Sequence, residues 1–222
     1  MSRITDYAFL FQKSFKTPVV SPIGSFKLSD LNSSTVQSKL KTAGINTNSM
    51  QYKAAVKQMM NQGNGMMYGN IQGIKNLMSQ YDSDGDYIDP NSGLSGLLVT
   101  KENEKNRRRV ISIPDSSKEE MFELTKKEFL RENGVGNGDT TRRTDVYFNL
   151  YRKMPKQDRL AAGYTLDKYE RMYTGALYAA AKAADPDWEI GKAIKPGALD
   201  GVTRESAEAG NSLSGSSIDT TV

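Results

Sequence analysis

The residues best equipped for chemistry sit in one short stretch, where Asp82, Asp84, Asp86 and Asp89 gather around Gly85. Carboxylates at i, i+2 and i+4 in a tight, glycine-bearing loop can converge on a common centre. A hard cation such as calcium takes roughly six to eight oxygen ligands, and alternate positions of a loop supply them. The rest of the chain narrows the chemistry by omission, since its 222 residues include no cysteine and no histidine. That excludes disulfides, thiolate nucleophiles, Cys/His zinc sites and histidine-based triads. Oxygen ligation is the metal chemistry this composition supports.

The acidic stretch resembles the loop of an EF-hand. Met78 and Tyr81 stand where the entering helix of that motif is anchored. Three features depart from it. Tyr87 follows Asp86 directly where a glycine is expected, so the loop is one residue short. Ser92 or Gly93 occupies the place of the bidentate glutamate that closes the shell. Pro90, Gly93 and Gly96 make a poor exiting helix. The expected site is therefore a shortened loop using Asp82, Asp84, Asp86 and Asp89 with the carbonyl of Tyr87. It should hold calcium weakly, because the missing glutamate normally supplies two oxygens. The plainer reading of the same residues is a solvated Asp/Gly turn.

Other clusters read as structural. Arg107, Arg108 and Arg109 lie near Glu102 and Glu104 and suggest pairing across a hairpin. Arg142 and Arg143 fall in the first turn of a helix, where the dipole disfavours cations, so acidic partners elsewhere are expected. Neither cluster is interleaved with aromatics, so no nucleic-acid surface is expected. Gly134, Gly136 and Gly138 precede a helix but lack the Lys-Ser/Thr pair of a phosphate loop, and read as a connector. Tyr147, Tyr151, Tyr164, Tyr169, Tyr173 and Tyr178 fit helix–helix contacts. No carboxylate pair stands out as catalytic.

Helical spacing dominates the elements that must position these residues. Val36, Leu40 and Ala43 mark one helix, and Met50, Ala54, Ala55, Met59 and Met60 a second. Met67, Ile71, Ile74, Leu77, Met78 and Tyr81 mark a third. Six of the ten methionines lie between Met50 and Met78, and core filling explains them more simply than an adaptable groove. Two β-like runs, 96–100 and 108–113, read as a hairpin. A capping box at Ser116/Glu119 or Ser117/Glu120 opens a helix that stops at Asn133 and Gly134. A helix over 140–154 follows, then a helical turn over 156–162 closed by Gly163. Thr165 or Asp167 caps the longest helix, which runs to about Ala184. Trp188, Ile190, Ile194, Leu199 and Val202 show no period and read as an extended arm.

The expected fold is mainly α (α+β): one helical domain over 1–209 with a small β-hairpin. It carries extended arms at 1–28 and 186–209 and ends in a polar, disordered tail at 210–222. Net charge is +4, divided into +7 over residues 1–80 and −3 over the remainder, a split that suits self-complementarity. The apolar N-terminal residues Ile4, Tyr7, Phe9, Leu10, Phe11 and Phe15 need cover from the body or from another copy, which would make a homo-oligomer. No stretch is apolar enough for a membrane span. The start lacks a cleavage site, so a cytoplasmic protein or one exported without a leader is expected.

Four segments, 4–12, 81–88, 127–135 and 185–191, resemble an uncharacterised family from gut Firmicutes. That family is a domain of unknown function, so the resemblance implies no activity and no site residues. From the residues, the expectation is a non-enzymatic structural or interaction protein with a protein partner, stabilised by calcium. The alternatives are a leaderless exported cell-surface or flagellar-type component, or a carboxylate-dependent hydrolase. The hydrolase would require two acids converging in a cleft.

Overall fold

A computed structural model describes residues 25–61, 68–132 and 141–209. The chain divides into two compact units, with the boundary between Gly85 and Asp86. The expected glycine-rich connector at 134–138, the tail at 210–222 and all but the last residues of the N-terminal arm lie outside the described residues.

The first unit holds strand β1 (Phe26–Lys27), helix α1 (Ser34–Thr42), helix α2 (Met50–Asn61), strand β2 (Tyr68–Gly69) and helix α3 (Ile71–Met78). The two strands pair antiparallel, with Phe26 opposite Gly69. Side-chain caps begin all three helices. The Ser33 hydroxyl accepts the Val36 N–H at 3.3 Å, the Ser49 hydroxyl accepts the Tyr52 N–H at 3.1 Å, and the Asn70 carboxamide oxygen accepts the Gly73 N–H at 2.7 Å. Such caps satisfy amides that a helix start leaves orphaned. Phe26, Leu31, Val36, Leu40, Ile45, Tyr52, Met59 and Ile74 form the core. Of the methionines, Met59 is buried there, whereas Met50 and Met60 are 50% and 55% exposed.

The second unit is built on helix α4 (Asp115–Glu132), helix α5 (Thr141–Lys153), helix α6 (Arg159–Ala184) and the short helix α7 (Arg204–Ala209). A 3₁₀ turn at Lys156–Asp158 leads into α6. Helix α6 is the spine. Its Ala162, Leu166, Met172 and Tyr173 meet Met121 and Phe122 of α4 and Leu150 of α5. Further along, Leu177 and Ala181 join Phe129, Trp188 and Leu199. Phe122 meets Tyr173 edge-on at 5.3 Å, a favourable aromatic geometry. The segment after α6 packs through Trp188 and Leu199, but it is a run of turns that ends in α7 rather than an extended arm.

The fold is thus mainly helical with one two-stranded antiparallel sheet among the described residues. That sheet is not where the β-like runs are. Residues 96–113 form no strand, because their backbone groups find other partners. Asn103 accepts the Thr100 N–H and donates to the Leu98 carbonyl. The Ile111 N–H goes to the Thr165 hydroxyl of α6 at 3.0 Å.

The expected stop at Gly163 also gives way, since α6 runs through it. A Cβ there would lie 3.0 Å from Cε1 of Tyr151. The glycine is therefore a seat for α5, and Thr165 and Asp167 are helix-interior residues rather than caps. Similarly, α4 starts at Asp115, which places Ser116 and Ser117 inside its first turn. None of the helices among the described residues is long and apolar enough to cross a membrane.

Candidate metal centre

The loop after α3 starts from a fixed base. The Tyr81 hydroxyl donates to Oε1 of Gln58 at 2.6 Å, and the Tyr81 carbonyl accepts from Nε2 of Gln51 at 3.1 Å. Both partners lie on α2, so the aspartates that follow leave from a tethered point. Asp82 then folds the chain back on itself. Its Oδ1 accepts the Asp84 N–H at 3.0 Å, and its carbonyl accepts the Gly85 N–H at 2.9 Å. Gly85 has φ +83°, and a Cβ there would come within 3.1 Å of the Met50 carbonyl oxygen. Only glycine suits both the left-handed backbone and the close approach.

This turn brings a carboxylate oxygen from each of Asp82, Asp84 and Asp86 within 4.8 Å of the others. Asp84 is exposed, while Asp82 and Asp86 are half-buried. Like charges at that separation repel, and a cation relieves the repulsion. The three aspartates in alternate positions are therefore together, as the spacing predicts. Asp89, the fourth expected ligand, has other work. One of its oxygens accepts the Ser92 N–H at 2.9 Å and the Ser92 hydroxyl at 2.6 Å, closing the turn over 89–92. It is not among the three clustered carboxylates. Tyr87, between Asp86 and Asp89 in sequence, is half-buried, and burial, then the Asp89 charge, pushes its phenol up.

Sequence reasoning missed Lys156. Its Nζ lies 2.6 Å from Oδ2 of Asp86, so a tethered ammonium already serves one of the three carboxylates. The neighbouring residues are fitted to that approach. Arg159 donates to the Ser95 carbonyl at 2.6 Å and to the Tyr151 carbonyl at 3.1 Å. Gly96, at φ +77°, leaves room where a Cβ would stand 2.7 Å from the Lys156 carbonyl oxygen. No local signal marks Lys156, because its partner is far away in sequence.

A second charged cluster joins three helices. Arg143 of α5 is held between Glu128 of α4 and Glu170 of α6, with Nη1 to Oε1 of Glu170 at 2.6 Å. The Tyr147 hydroxyl donates to the other Glu170 oxygen at 3.3 Å. Burial pushes the Glu170 carboxyl up against the pull of Arg143, and the Asp167 charge adds to the rise. The acidic partners expected for the arginine pair are thus present at Arg143. Two acids do converge here, but on a guanidinium. Two of the three arginines in the basic run have acidic partners, since Arg107 meets Glu104 at 3.9 Å and Arg109 meets Asp158 at 3.0 Å.

Fold and loop together define a helix-rich protein of two compact units with an aspartate triad in the loop after α3. The chain belongs to the family described as Domain of unknown function (DUF3879), whose model matches residues 45–222. No curated protein matches the chain, and no solved structure matches it.

Proposed function

We propose that this chain is a non-enzymatic structural or interaction protein whose acidic loop takes one calcium ion weakly. The observation that carries the reading is the convergence of the Asp82, Asp84 and Asp86 carboxylates within 4.8 Å. Three carboxylates, with water completing the shell, suit a hard oxygen-seeking cation, and calcium tolerates irregular geometry better than magnesium does. Asp89 belongs to the adjoining turn and supports the loop rather than the ion. With few protein oxygens and no bidentate glutamate, the dissociation constant falls at roughly 10⁻⁴–10⁻³ M.

The partner is a protein. The basic residues at 107–109 and at Arg143 are engaged with acids or lack the aromatic platforms on which bases stack. Thermal melting in calcium and in chelator tests the reading. Calcium at millimolar concentration raises the melting temperature of the wild type and leaves an Asp82→Asn/Asp84→Asn variant unmoved. Equal shifts in both proteins, or none in either, contradict it. Reproducible turnover of a hydrolysable substrate would overturn the non-enzymatic part.

A further inference from the structure

The segment 97–109 of the second unit shows a combination that neither the core nor the acidic loop uses. Leu98 and Val99 are consecutive and both bare, at 51% and 41% exposure. The segment forms neither strand nor helix here, and both side chains face solvent. It is nonetheless built. Asn103 accepts the Thr100 N–H at 2.8 Å and donates to the Leu98 carbonyl at 3.0 Å. Successive turns link the Glu104 N–H to the Thr100 carbonyl, the Asn106 N–H to the Asn103 carbonyl and the Arg109 N–H to the Asn106 carbonyl.

The charge beside this apolar pair is one-sided. Residues 101–109 hold five cations and two anions. Arg107 and Arg109 have the acidic partners already described. Lys101, Lys105 and Arg108 are exposed and make no ion pair among the described residues.

We propose that this loop docks the protein on anionic bilayer surfaces, with Leu98 and Val99 entering the interface and Lys101, Lys105 and Arg108 facing the headgroups. Charge complementarity sets the sign of the surface. A displayed aliphatic pair flanked by unpaired cations is the composition of an interfacial anchor. The segment has no tryptophan, tyrosine or phenylalanine, the aromatic anchors enriched at protein–protein hot spots. A bilayer is therefore favoured over an acidic peptide.

Flotation of the full chain with vesicles tests this. The wild type rises with vesicles of phosphatidylcholine mixed with phosphatidylglycerol, and not with phosphatidylcholine alone. Each cation near an anionic surface contributes about fivefold in partition, so Lys101→Gln/Lys105→Gln/Arg108→Gln lowers it roughly a hundredfold. Leu98→Ser/Val99→Ser lowers it about tenfold. Both variants keep the wild-type circular dichroism and melting temperature, because the altered side chains are exposed. Unchanged partition of the triple variant overturns the proposal, since binding then resides elsewhere on the chain. So does equal flotation with neutral vesicles, or none with anionic ones at low salt. Binding of polyglutamate that the triple variant loses, without vesicle binding, replaces the bilayer with an acidic protein partner.

Discussion

Asp86 is repelled by two neighbouring aspartates and paired with the ammonium of Lys156 2.6 Å away. An entering cation has to compete with that ammonium, and the competition lowers affinity. Lys156→Met therefore strengthens calcium binding by about fivefold, the range of a partly exposed ion pair. Titration calorimetry of the variant beside the wild type measures it, and a weaker or equal affinity contradicts the competition. Gly85 sets the geometry of the same loop. Gly85→Ala places a Cβ against the Met50 carbonyl at positive φ, and a loss of about 1–2 kcal/mol in urea unfolding is expected. The spacing of the aspartates and the glycine between them were legible in the sequence. The Asp89 turn was not, because Ser92 competes for that carboxylate through both its amide and its hydroxyl. Lys156 was not legible either, since its approach depends on how the 3₁₀ turn before α6 is placed.

The helices of the second unit are fastened by polar residues that periodicity does not reveal. Thr165 donates to the Ala161 carbonyl and accepts the Ile111 N–H, which draws 109–114 onto α6 and removes an amide that a hairpin would have needed. Gly163 looks like a terminator by type, but it is the hollow that receives Tyr151. Gly163→Ala destabilises the protein by about 1–2 kcal/mol through overpacking, despite the better helix propensity of alanine. Tyr151→Phe in the same chain restores part of the loss. A stabilising Gly163→Ala would show that the tyrosine has room to move. Arg143→Met leaves Glu128 and Glu170 facing each other half-buried, and costs about 2–3 kcal/mol at neutral pH. The helical spans themselves were readable because their apolar residues recur at helical spacing. Their ends were less so, because tertiary contacts decide whether a glycine or a serine stops a helix.

Across the molecule, burial sets how the fold responds to alkali. Tyr147 and Tyr173 have phenols pushed well above the ordinary value of 10.0, first by burial and then by Glu170 and Glu208 respectively. A raised folded value means that the folded state holds these protons more tightly than the unfolded chain does. Their contribution to stability is complete below pH 10 and falls as pH climbs from there toward the folded values. The last part of the phenolate absorbance should therefore rise together with loss of helical circular dichroism. Titration of every tyrosine before unfolding would contradict the burial of these two. The helix-rich class of the protein was visible in composition and spacing, whereas its division near Gly85 was not. The charge balance changes sign close to that point, but the acidic loop reads in sequence as a continuous turn within one domain. The absence of histidine and cysteine leaves oxygen as the ligand chemistry, and the aspartate triad is where the chain would use it. Calorimetric titration of calcium into the full chain, beside Asp84→Asn, asks this most directly. Saturable binding of one ion per chain is expected in the wild type, roughly submillimolar to millimolar, with its loss in the variant. No heat beyond dilution at millimolar calcium, or identical isotherms for the two proteins, would contradict it.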